Sequence, residues 1–294
     1  YKIALRLEPS NWQAAMGLLS VSVEKHGAEE MLELARNATK GDLGSSEALL
    51  LLGKAYMLSG LPDRAIGFLN RAVLEDPGNQ AAHWFQVLSL CWDGRDQEAI
   101  RAGEKYLRRF GEDDEIHFWL GVSYQQAGDF HAAGRHYEEA VEMLGDESGA
   151  VAIEALADFR ELRGDSGEAR RLRERGLRAA DLSLSVAPEN ARLRYVRVLL
   201  LAHLGLRKRF EEELRWYATI PPDKSGNCLS FAIGYAILGE MDQAIGFLER
   251  SVPLNHATEV GFSYCAIGKL QADPRYRALQ ARWKRHFDRL RDLY

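Results

Sequence analysis

Three groups of side chains have types and spacings that could do chemistry. His83 and His117 stand 34 residues apart. A chain that repeats with that period would set them on neighbouring helices as two imidazole ligands. A metal site needs a third ligand, and none is evident beside either, so both read as packing residues in place of a large apolar one. His131 and His136 are five apart on one helix, off the i, i+4 spacing that shares a face, and read as surface or packing residues. Glu154, Asp158 and Glu161 fall at i, i+4 and i+7 on one helical face. Paired carboxylates do acid–base work only when burial splits their pKa values. On a helix lining a wide groove they are expected to form a solvated acidic patch. The run Arg170–Arg178, interleaved with Glu168 and Glu174, reads as the exposed side of a long helix. Arg207, Lys208 and Arg209 face Glu211, Glu212 and Glu213 at i+4, where exposed pairs add about 0.2–0.5 kcal/mol each.

No GxSxG, HExxH, GxxxxGK[ST] or strand-borne GxGxxG motif occurs, and no segment reads as a strand. The sequence therefore predicts a non-enzymatic protein with no cofactor and no catalytic or metal residue. A net charge of −5 favours no nucleic-acid or acidic-membrane partner. Cys91, Cys228 and Cys265 have no CxxC spacing and cannot all pair, which points to a reducing compartment such as the cytoplasm. No apolar run reaches the roughly 18–20 residues that span a bilayer. The chain opens at Tyr1, without Met and inside a helical pattern. It is expected to be a fragment or a processed chain, with targeting signals lost from view.

The elements that would position these groups are set by glycine. Gly60, Gly94, Gly128, Gly164, Gly205 and Gly239 are separated by 34, 34, 36, 41 and 34 residues. Ala65, Ala99, Ala133, Ala169 and Ala244 follow five of them by five residues. A period near 34, with Gly in a turn and Ala where two helices touch, predicts an all-α solenoid of helix–turn–helix units. In the clearest unit, Glu115–Gly145, Leu120, Gly121 and Tyr124 share a face of the first helix. Ala133, Tyr137 and Ala140 share the facing stripe of the second. Gly121 and Ala133 would let two backbones approach.

These residues resemble the tetratricopeptide repeat, whose pattern is a large residue, Leu-Gly, Tyr, Gly, Ala, a large residue, Ala and Pro. Leu52, Gly53, Tyr56, Gly60, Ala65, Leu69, Ala72 and Pro77 give a nearly complete copy. The unit around Gly94 has Gln86, Val87 and Leu90 in place of Leu, Gly and Tyr, and the unit around Gly239 keeps Phe231, Ala232, Tyr235, Ala244 and Leu248. The units around Gly164 and Gly205 are degenerate, and between Ala169 and Pro188 the second helix is expected to run about two turns long. The resemblance implies a right-handed solenoid of about seven units over residues 1–260. Within it, 1–9 is the tail of a truncated repeat, 10–46 a degenerate repeat turning at Gly27, and 47–256 the repeats proper. A cap follows over 261–294. There Tyr276, Leu279, Trp283, Phe287, Leu290 and Tyr294 form an apolar stripe behind Asp273 and Pro274. The basic excess of this segment could serve a membrane or nucleic acid, but closing the array uses its apolar face. The tail also resembles the ending of repeat domains in bacterial multidomain regulators.

The resemblance further implies that first helices line a concave groove. Its contact positions hold Leu50, Lys54, Trp84, Leu88, Trp92, Phe118, Val122, Gln126, Glu154, Asp158, Tyr195, Leu199, Leu229 and Ile233. Family members that clamp a peptide carboxylate use Lys, Asn and Arg there. Only Lys54 matches, so that activity is not expected. An apolar, aromatic groove suits an amphipathic helix or an extended apolar segment of a protein partner, unless the superhelix fills it with its own side chains. The expected function is a protein-binding scaffold, with self-association open. The alternatives are the sensor arm of a larger signalling protein carrying a cyclase, kinase or winged-helix domain, and a subunit of a catalytic complex.

Overall fold

The computed structural model describes residues 14–17, 28–39, 44–219, 228–250 and 264–293. The sequence readings on 1–9, on Gly27, on the segment 251–263, on the Cys265 side chain and on Tyr294 lie outside them.

Among the described residues the chain forms helices and no strand. α1 (Ala28–Ala38) packs on α2 (Ser46–Leu58), which pairs with α3 (Pro62–Glu75). α4 (Gln80–Trp92) pairs with α5 (Asp96–Phe110), α6 (Asp114–Gln126) with α7 (Phe130–Ser148), and α8 (Ala150–Leu162) with α9 (Ser166–Val186). α10 (Ala191–His203) pairs with α11 (Arg207–Tyr217), and α12 (Cys228–Ile237) with α13 (Met241–Arg250). α14 (Tyr264–Ala272) and α15 (Pro274–Leu293) end the array.

The glycine period is a period of helix stops. All six glycines have φ between 68° and 84°, a left-handed conformation that costs other residues a Cβ clash. In each the same two backbone bonds close the helix. Gly60 N–H donates to Met57 and Leu61 N–H to Tyr56, and Gly128 N–H donates to Gln125 and Asp129 N–H to Tyr124. This Schellman geometry satisfies the last carbonyls of the first helix and aims the chain into the second. The starts are set by side chains: Ser45, Asn79, Asp113 and Asn190 cap first helices, and Asp129 and Asp165 cap second helices.

Ala65, Ala99, Ala133, Ala169 and Ala244 are fully buried between helices. At the small residue of the first helix, however, the neighbour is a large side chain and not a backbone. A Cβ on Gly121 would lie 2.7 Å from Tyr137 Cδ1, one on Gly53 2.5 Å from Leu69, and one on Gly234 2.5 Å from Phe210. Each glycine is a socket for a residue of a second helix. α9 has 21 residues against 14 in α3 and 15 in α5, the predicted extension of about two turns.

The C-terminal stripe is buried: Tyr276, Leu279, Trp283, Phe287 and Leu290 face inward, while Arg282, Lys284 and Arg285 stay exposed. α15 also reaches the other end of the array. Arg291 pairs with Asp63 at 3.1 Å, Arg64 donates to the Arg291 carbonyl at 3.3 Å, and Arg289 lies 4.0 Å from Glu29. The solenoid thus closes on itself, and one apolar cluster runs from Met31 and Leu49 through Leu200 and Phe231 to Trp283 and Leu290.

Candidate partner-binding face

The fourteen groove candidates all lie on first helices. Leu50 and Lys54 are on α2; Trp84, Leu88 and Trp92 on α4; Phe118, Val122 and Gln126 on α6. Glu154 and Asp158 are on α8, Tyr195 and Leu199 on α10, and Leu229 and Ile233 on α12. Closure of the array divides them. Leu50, Leu88, Val122, Glu154, Asp158, Leu199 and Ile233 are buried; Lys54, Trp84, Trp92, Phe118, Tyr195 and Leu229 are half-buried; Gln126 is exposed. Leu50, Leu88, Leu199 and Ile233 join the long apolar cluster, against which Trp84, Trp92, Tyr195 and Leu229 pack. Much of the inner face is therefore filled by its own side chains.

What stays partly open is an aromatic stretch on α4 and α6. Trp84 meets Phe85 edge-on at 4.9 Å, Trp92 meets Trp119 at 6.2 Å, and Trp119 meets Phe118 at 5.1 Å. Such edge-to-face pairs hold the rings rigid. The Lys54 ammonium lies 5.2 Å from the Phe85 ring centre, and burial lowers its pKa.

Glu154 and Asp158 do not form a solvated patch. Both are buried, with Arg173 from α9 and His203 from α10 beside them. Arg173 donates to Asp158 at 2.7 Å and to Glu161 at 3.0 Å. His203 Nε2 lies 3.4 Å from Asp158 and 3.5 Å from Glu154. Burial, then the Asp158 charge, pushes the Glu154 carboxyl well above its usual range. Burial pushes His203 down to about 4 and raises the Tyr195 phenol. The three acceptors could in principle hold a cation, but Asp158 already carries the Arg173 guanidinium. A buried carboxyl with a raised pKa beside a second carboxyl is raw material for acid–base catalysis, yet at 6% and 5% exposure the pair is sealed from any substrate. Arg173 also departs from the exposed arginine face expected of α9.

The pairing on α11 differs as well. Arg207 does pair with Glu211, but Glu213 is buried and takes Arg194 and Arg197 from α10, and Arg209 turns to Asp181. His83 is buried as a packing residue and bonds the Pro77 carbonyl at 3.1 Å. His117 is buried too, but in polar company with His136, Glu139 and Glu112.

Several of these residues could be found by extending the same spacing. His203 follows Leu199 by four, on the face of Tyr195 and Leu199. Arg173 follows the fully buried Ala169 by four. Trp119 is flagged by nothing except its neighbour Phe118.

The tetratricopeptide repeat profile matches residues 31–82 and 93–148. No curated protein matches the chain. Among solved structures, a chain of the APC/C hetero-tetramer Cut9–Hcn1 is similar at 14% identity and TM-score 0.55, over 95% of this chain and 50% of that one. A MamA crystal structure is similar at 23% identity and TM-score 0.47, over 54% of this chain and 91% of that one. MamA from Desulfovibrio magneticus RS-1 is similar at 14% identity and TM-score 0.49, over 63% and 98%. Among the described residues no helix is long and apolar enough to cross a membrane. With glycine-stopped helix pairs and Gly and Ala sockets under the profile match, residues 31–82 and 93–148 carry tetratricopeptide repeats, and the helix pairs that follow continue the same all-α array.

Proposed function

We propose that this chain is a non-enzymatic scaffold that binds a protein partner on the aromatic stretch of α4 and α6. The observation that carries the reading is the contrast along one face. On α8, α10 and α12 four of the six inner positions are buried and only Tyr195 and Leu229 stay half-buried, whereas α4 and α6 together keep four aromatic rings, Trp84, Trp92, Phe118 and Trp119, partly in water. Rigid aromatic rings offer a large contact area at small entropic cost and dominate binding hot spots. Lys54 stands near one end and the exposed Gln126 near the other, giving the apolar stretch polar flanks. An amphipathic helix or an extended apolar segment fits such a surface.

Trp84→Ala and Phe118→Ala, each measured for thermal stability and for affinity to a partner recovered with the intact protein, test this reading. As binding anchors they weaken the complex by about 2 kcal/mol or more, with a smaller loss of stability. As pure core residues they would each lose about 3–5 kcal/mol of stability and leave affinity per folded molecule unchanged, which would end the proposal.

A further inference from the structure

We infer that His117, His136 and Glu139 form a binding site for one divalent transition-metal ion of the zinc class, with Glu112 holding His117 in the ligating tautomer.

His117 projects from α6; His136 and Glu139 project from α7 one turn apart, on a shared face. Their donor atoms form a tight triangle. His117 Nδ1 lies 2.9 Å from His136 Nδ1 and 2.9 Å from Glu139 Oε2, and His136 Nδ1 lies 3.3 Å from the same oxygen. Ligands about 2.0–2.2 Å from a metal stand about 2.9 Å apart at right angles and about 3.4 Å apart in a tetrahedron. The triangle therefore has the dimensions of one face of a coordination sphere.

The three corners of the triangle are all atoms that can present lone pairs to a cation. On the far side of the His117 ring, Nε2 is 2.5 Å from Glu112 Oε2, so in the neutral ring that ligates a metal Nε2–H donates to that carboxylate and Nδ1 offers its lone pair. Facing it across the triangle are the Glu139 carboxylate and His136 Nδ1. A carboxylate behind a histidine, fixing its ring and raising its basicity, is the usual outer support of a metal-ligating imidazole. The second ring is fixed too: His136 stacks on Tyr124 at 5.3 Å and 8°, and the Tyr124 hydroxyl donates to Glu104 at 2.5 Å.

Two nitrogens and one carboxylate select a borderline-soft ion over Mg²⁺ or Ca²⁺, which take oxygen sets. The fourth position faces outward, since Glu139 is 47% exposed while His117 is 4% exposed, and it would take water or a donor from outside. The site belongs to one repeat. In the preceding unit, 34 residues earlier, His83 has Ala102 and Lys105 where His136 and Glu139 stand. A bound ion would staple α6 to α7 directly behind the aromatic stretch.

The test is titration of the chelator-treated full chain with ZnCl₂, followed by calorimetry and melting. The expected result is one ion per chain and a rise in Tm. Glu139→Gln, at an exposed residue, and Glu112→Gln should each weaken binding by about tenfold or more. His136→Gln should abolish the Tm rise, and His131→Gln, on the same helix but pointing to solvent, should change nothing. Absence of stoichiometric binding would overturn the inference. So would binding that survives both Glu139→Gln and His136→Gln, which would place the ion elsewhere.

Discussion

Replacing Gly121 with Ala sets two effects of opposite sign against each other, and the structure says which wins. Gly121 lies in the interior of α6, where Ala is favoured over Gly by about 1 kcal/mol of helix propensity. The new methyl would stand 2.7 Å from Tyr137 Cδ1, 2.8 Å from Cε1 and 3.0 Å from Cγ. Tyr137 would have to withdraw by about 0.7 Å to restore ordinary contact in an interior packed like a crystal. It has nowhere to go: the ring is 2% exposed, it lies against Phe118 and Phe159, and its hydroxyl donates to Gln125 at 3.1 Å. Overpacking of this kind costs about 1–3 kcal/mol, so the net result is a loss of up to about 2 kcal/mol. Gly67 and Gly246 are the controls. Both are inside helices, and a Cβ there meets nothing within 4 Å, so Gly67→Ala and Gly246→Ala should each gain up to about 1 kcal/mol. Urea unfolding of the three variants beside the wild type reads the difference as shifts of midpoint at constant m. A midpoint for Gly121→Ala that rises with the controls would refute the socket packing.

Two further predictions come from the sealed ionic cluster. Arg173→Met removes the cation that holds the buried Asp158 and should cost about 3–5 kcal/mol in the same urea assay; a loss under 1 kcal/mol would show that water reaches the acids. Two groups of this cluster should pull stability against pH in opposite directions above about pH 4.5. His203 is pushed down to about 4, so the unfolded chain takes up a proton near pH 6.5 that the folded chain refuses, and stability falls with acidification. Glu154 is held well above its usual value, so the folded chain keeps a proton that the unfolded chain loses above about pH 4.5, and stability falls as pH rises. Each slope is at most about 1.4 kcal/mol per pH unit. Glu154→Gln should expose the loss on acidification and His203→Gln the loss on alkalisation; denaturation at pH 5 and 6.5 checks both, and identical trends in the two variants would contradict the assignment.

The features legible in the sequence are those whose cause is local. Gly60 through Gly239 announce helix stops because only glycine takes their φ without strain, and the alanines after them announce contact because only a small side chain fits. The length of α9 and the stripe from Tyr276 to Leu290 follow from helical spacing alone. The environment of Glu154 and Asp158 is not local. It depends on α9 and α10 bringing Arg173 and His203 to α8, and on how far the array closes when α15 meets α3. A repeat pattern fixes each unit and its neighbour, but small rotations per unit decide whether the inner face is open or filled. His117 shows the same limit. Comparing His131 with His136 along one helix conceals that His136 faces His117 across the pair, where Glu139 completes the set.

The most direct measurement of the scaffold proposal is photo-crosslinking from a benzophenone side chain placed at Phe118 on the inner face and, separately, at Val186, which is 84% exposed at the end of α9. The proposal predicts a discrete protein adduct from position 118, absent from position 186 and lost when Trp84→Ala is added. Adducts from position 186 alone, or from 118 to this chain only, would contradict it.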